Sequence, residues 1–159
     1  MRGERAALRA QEFLELAELF YKAYRDLPDP GFPKLDWPRY FLLCHCIELS
    51  LKAYLAGKGV SDRELSGKKF GHNLKNLFDA AVERDLSLTA HACRLVKYLE
   101  EPHTDYAARY PRNKQEKMGA PVPTIAQLQP DAVALLRQIA THLRGDNYRL
   151  LVDDREPKA

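Results

Sequence analysis

Signals for export, membrane insertion and a covalent framework are missing from this chain. The N-terminus, Met-Arg-Gly-Glu-Arg, is charged and opens into an amphipathic stretch, so the apolar core of a signal segment is not there. The longest apolar run, residues 40–56, carries Glu48 and Lys52 and is too short and too polar to span a bilayer. Cysteine is scarce and odd in number: Cys44, Cys46 and Cys93 fit free thiols in a reducing cytoplasm better than a set of disulfides. There is no glycine-rich phosphate loop, no nucleophile elbow and no metal-protease His-Glu pair. Strand-like alternation of useful length is also missing before residue 148. Charge excess is small. A net charge of +3 and a pI near 8.7 fall short of a strongly electrostatic nucleic-acid binder.

What remains is ordinary for a globular protein: 45% apolar and 30% charged residues in 159 positions. That length suits one domain with a sizeable core, taken here as residues 1–159 with its core at about 4–145 and a tail at 146–159. The expected location is cytoplasmic, without a membrane partner or a cofactor.

Helical periodicity accounts for most of the chain. Residues 39–56 contain neither Gly nor Pro and end at Gly57-Lys-Gly59, which suits a helix of about five turns. Apolar residues occupy nearly every direction around it, so it belongs at the centre, packed on several sides. Its exceptions are Glu48 and Lys52, an i,i+4 pair in the favourable orientation. Two readings stay open: a structural ion pair on one solvated edge, or a buried Glu48 that needs a partner from a neighbouring helix.

A first helix is expected over residues 4–26, with Ala6, Phe13, Ala17, Phe20 and Tyr24 inward and Leu16 and Tyr21 widening the stripe. Arg5, Arg9, Gln11, Glu12, Glu15 and Glu18 fall largely elsewhere. The prolines at 28, 30 and 33 end it, and Asp36 and Pro38 look like the start of the central helix. Ser61-Asp-Arg-Glu64 has the capping-box pattern. A third long helix follows Gly71, and a fourth runs from about 87 to 101. Residues 102–123 read as a loop, and a last helix reaches Arg144, restarting at Pro130 and stopped by Gly145. The fold class expected is all-α, an antiparallel up-and-down bundle of four to five helices.

Three stretches in order resemble the HEPN family (higher eukaryotes and prokaryotes nucleotide-binding domain). They are Ile47-Glu-Leu-Ser-Leu-Lys-Ala-Tyr-Leu55, Gly71-His-Asn-Leu-Lys-Asn-Leu77 and Tyr106-Ala-Ala-Arg-Tyr-Pro111. The likeness covers roughly residues 10–145. It implies a HEPN-like bundle that often forms a homodimer, in one of two roles. Some members are metal-independent ribonucleases, often toxins of toxin-antitoxin pairs. Others are non-catalytic partners of a nucleotidyltransferase. The resemblance also sets Arg109 beside Glu48.

The ribonuclease members carry Arg, four to six residues, then His, with Arg to hold a phosphate and His to move a ribose 2′-hydroxyl proton. Matches here are Arg39 with His45, Arg84 with His91, and Arg137 with His142. With 14 arginines and 5 histidines, chance alone supplies roughly one such match. Arg39 and His45 would lie about 120° apart on a helix, with His45 in the apolar run as a satisfied core histidine. A break at 85–87 separates Arg84 from His91. Arg137 and His142 are the catalytic candidates, yet they stand about 140° apart, so converging on one phosphate needs a dimer groove.

His72 at a helix start could cap or orient the first turn beside Asn73. It could also hold a phosphate there with Lys68, Lys69 and Lys75, the best anion-binding candidates. Arg109, Arg112, Lys114 and Lys117 form the second group, where Tyr106 and Tyr110 could stack on a base or pin the loop. Cys44 and Cys46, two positions apart in a helix, point about 160° apart and do not make a zinc site. Two roles result: a binding module for a nucleotidyltransferase, nucleotide or RNA, and a ribonuclease acting through Arg137 and His142.

Overall fold

The computed structural model describes residues 2–28, 37–87, 89–90, 92–95, 97 and 125–145. Among them the structure is helical, with no strand, in five helices: α1 (Arg2–Asp26), α2 (Trp37–Gly57), α3 (Asp62–Ser66), α4 (Leu74–Val82) and α5 (Ile125–Arg144). Residues 90, 92–95 and 97 are helical too. No helix among the described residues is long and apolar enough to cross a membrane.

α2 is the centre, as its all-round apolarity requires. It packs against α1, α4 and α5, and every residue from 46 to 56 is buried. Tyr40, Leu43, Ile47, Leu51, Tyr54 and Leu55 form its spine, and full burial of each such side chain is worth about 1.5–3 kcal/mol. The helix closes with a Schellman turn: Gly59 N–H donates to Ala56 O (2.9 Å) and Val60 N–H to Leu55 O (3.0 Å). Gly59 makes that turn at φ +87, where a side chain would be strained.

α1 packs along α2, but its buried face is turned from the expected stripe. Ala10, Leu14, Ala17, Tyr21 and Tyr24 are buried, Phe13 and Phe20 partly so, and Leu16 is 43% exposed. Glu18 lies on the edge of this buried face. Arg144 of α5 donates to both its carboxylate oxygens at 3.3 Å and to Gln11 Oε1 at 2.7 Å, and this pairing takes Glu18 inside, at 1% exposure. An acid placed among the solvent-facing positions is therefore a buried tie between α1 and α5.

The shorter elements follow their caps. Ser61 and Glu64 form the capping box that opens α3. Asn73 caps α4 by accepting from Asn76 N–H at 2.9 Å, and Leu74, Leu77, Phe78, Ala80 and Ala81 bury its inner face. The break after α4 is a second Schellman turn, with Asp85 at φ 68 and Leu86 N–H on Ala81 O at 3.0 Å. Where the fourth helix is expected, Ala92 and Leu95 are buried, and residues 88, 96 and 99 lie outside the described residues. In α5, Leu128, Ala132, Leu135, Leu136, Ile139 and Ala140 face inward. That helix does not restart at Pro130. It runs through it from Ile125, because Pro130 sits in the second turn, where its missing N–H removes only one ladder bond. Gly145 ends it at φ +88, its N–H on Thr141 O at 2.8 Å.

Candidate anion-binding site

The segment between α3 and α4 is a tight turn whose shape is fixed by its own backbone. Phe70 N–H and Gly71 N–H both donate to Gly67 O, at 3.2 and 2.8 Å, and Asn73 N–H donates to Phe70 O at 2.7 Å. Gly71 permits the geometry at φ +25, with a Cβ there meeting Gly67 O at 3.3 Å. Asn76 Nδ2 holds Lys69 O at 2.7 Å, and Phe70, 4% exposed, plugs the turn into the core. At its outer tip stand Lys68 and Lys69, both exposed. Lys69 Nζ lies 5.1 Å from the Phe70 ring centroid. Two ammonium groups are thus carried on a backbone already ordered before any ligand arrives, which removes part of the entropy lost on binding. Lys75 is exposed and bonds to Asp79 one turn along α4.

Beneath the turn lies Glu48, 1% exposed. Lys52 Nζ donates to its Oε1 at 2.7 Å from the next turn of α2, so the i,i+4 ion pair exists and is buried. The solvated-edge reading fails because α4 and the 67–73 turn cover that face. His72 supplies the contact from outside the helix: its Nδ1 is 3.1 Å from each Glu48 oxygen. A carboxylate only accepts, so Nδ1 carries the proton in this contact. His45 flanks the same carboxylate at 3.7 Å, its ring edge-on to Phe20 (4.5 Å) and stacked on Phe41 (5.6 Å). Its buried Nδ1 makes no hydrogen bond among the described residues, so it is a core histidine held by aromatic packing and not a satisfied one. Neutralising a buried carboxylate in this way is required, since an uncompensated one costs several kcal/mol.

The other residues singled out by pattern are placed elsewhere. Arg137 is exposed midway along α5. His142 is exposed in the last turn of α5, its ring 4.9 Å from that of Tyr54. Partial burial and the nearby Lys58 ammonium hold its imidazole below the usual histidine range, which favours the neutral form. Because α5 is continuous through both, the pair stays about 140° apart around the axis. Arg39 donates to Leu27 O, and His91 lies outside the described residues. So do Tyr106, Arg109, Tyr110, Arg112, Lys114 and Lys117, and with them the expected Arg109–Glu48 contact.

Compared with known proteins, the chain matches no family model, no curated protein and no solved structure. Its function has to be read from its own side chains.

Cys44 and Cys46 add no reactive centre, since both are buried in α2 and burial pushes the Cys46 thiol up to about 12. Among the described residues no group of three or more His, Cys, Asp or Glu could hold a metal ion. Three features lay beyond sequence reasoning: the Glu48–His72 contact, the Glu18–Arg144 tie and the Lys58–His142 neighbourhood. The first had one legible signal. His72 falls between a glycine and an N-cap asparagine, where the turn fixes the direction of its side chain.

Proposed function

We propose that this chain is a HEPN-like helical binding module that engages phosphate groups of a nucleotide or RNA and carries out no chemistry of its own. The observation that supports this reading is the preordered Lys68–Lys69 tip, two exposed cations on a turn locked by four backbone and side-chain hydrogen bonds. Lysine contributes a compact point charge suited to phosphate oxygens, and two such contacts give a measurable salt dependence. In the same reading the helices form an antiparallel up-and-down bundle, the protein works as a homodimer, and a nucleotidyltransferase is the protein partner.

Fluorescence anisotropy of a labelled single-stranded RNA tests this. The Lys68→Ala/Lys69→Ala variant should bind more weakly, with a salt slope reduced by about 1.4, two phosphates at about 0.7 each. Equal affinity and slope in the variant would contradict it.

A ribonuclease reading has one observation in its favour: His142 is exposed beside Lys58, an environment that favours the neutral imidazole a general base needs. It requires Arg137 of one copy to meet His142 of another. Loss of RNA cleavage in EDTA with both Arg137→Ala and His142→Ala would establish it.

A further inference from the structure

Glu48 has a cation within its own helix. Lys52, one turn away at 2.7 Å, is a cationic partner supplied by the same helix. For stability alone, apolar residues in place of such a buried pair serve as well or better. His72 brings something the i,i+4 pair lacks. It comes from 24 positions along the chain and ties the turn before α4 to the central helix. The hydrogen bonds within residues 67–73 fix the shape of the turn, but they do not fix its direction relative to α2. Phe70 is buried in the core, and apolar contact is non-directional. The Nδ1–H of His72, shared between the two Glu48 oxygens, supplies direction, because a hydrogen bond depends on the angle at which the donor approaches.

Resting on the reading of Lys68 and Lys69 as phosphate contacts, we infer that Glu48 is a positioning residue for that site. Glu48 is too deeply buried to meet a ligand, and it acts through His72, which aims the lysine-bearing turn outward from the rigid centre of the molecule. The ligand class is a phosphodiester chain or the phosphates of a nucleotide, met by two ammonium groups from adjacent positions of one turn. Losing the anchor leaves the lysines in place chemically but spreads them over many orientations, so each contributes less to a two-point contact.

The test uses the full chain and a labelled single-stranded RNA titrated across NaCl concentrations, with wild type, Lys68→Ala/Lys69→Ala, His72→Ala and His72→Gln compared. The double lysine variant is expected to lose about 1.4 from the salt slope. His72→Ala, with both lysines intact, is expected to lose more than half of that slope. His72→Gln, whose amide N–H can still donate to Glu48, is expected to restore it. Amide hydrogen exchange at Phe70, Gly71 and Asn73 should quicken in His72→Ala and recover in His72→Gln, while α1 is unchanged. This second readout applies even if binding is weak. Wild-type slope and wild-type exchange in His72→Ala, beside a weakened lysine variant, would overturn the positioning role and leave the phosphate site standing. An unaffected lysine variant would overturn the phosphate site itself, and the positioning role with it.

Discussion

His142 shows how one side chain ties fold to pH. Burial and the Lys58 charge both disfavour its protonated form, so its folded pKa lies below the unfolded value of about 6.5. Between these two values the unfolded chain binds more protons than the folded one, so stability falls as pH is lowered through that window and is retained above it. The acid side of a stability-against-pH curve should therefore flatten in His142→Gln. Lys58→Ala should move the His142 titration midpoint upward when followed by NMR; an unmoved midpoint would remove Lys58 as a cause. In the same last turn of α5, Arg144 neutralises Glu18 inside the protein. Arg144→Ala takes away that cation and should destabilise by on the order of 3 kcal/mol in urea unfolding. A change below 0.5 kcal/mol would show that the pair is not the tie described.

At the scale of elements, helix ends are where small changes should be felt. Asn73→Ala removes the side-chain acceptor for Asn76 N–H and should cost about 1 kcal/mol. Asp85→Gly should have the opposite sign, gaining up to about 1 kcal/mol, because Asp85 holds a left-handed conformation that glycine adopts freely. Thermal or urea midpoints of the two variants moving in the same direction would contradict the cap assignments. Most of this level was legible in the sequence. Capping box, N-cap asparagine, glycine stops and 3.6-residue periodicity are local signals, and they placed α1 through α4 and the end of α5. The misplacements came from long-range effects. Glu18 reads as a solvent residue until Arg144, 126 positions on, is seen to meet it, and the buried face of α1 takes in Leu14 and not Leu16. Pro130 reads as a helix start, but one missing ladder bond in the second turn does not stop a helix whose inner face is held by Leu128, Ala132, Leu135 and Leu136.

For the whole molecule, α2 explains why the candidate site is rigid at its base. Residues 46–56 are buried on all sides by α1, α4 and α5, so Glu48 is fixed and whatever it holds is fixed with it. The site itself was half legible. Lys68, Lys69 and His72 stand out as a basic cluster ahead of a helix, and that much is local. The contact of Glu48 with Lys52 was legible but that with His72 was not, because a contact 24 residues distant depends on how the 67–73 turn folds back over α2. The Arg-His spacing in α5 was conspicuous in sequence, yet on a continuous helix it sets the two side chains on different flanks. Spacing along a chain is a poor guide to convergence in space unless the period of the helix is applied to it.

The most direct measurement is electrophoresis of a labelled RNA incubated in EDTA with the purified protein. A native gel reads binding, and a denaturing gel of the same samples reads integrity. A binding module with phosphate contacts at Lys68 and Lys69 predicts a retarded band of full-length RNA, and the retardation should fall in Lys68→Ala/Lys69→Ala. RNA fragments that disappear with Arg137→Ala and His142→Ala would contradict it and make the chain a ribonuclease.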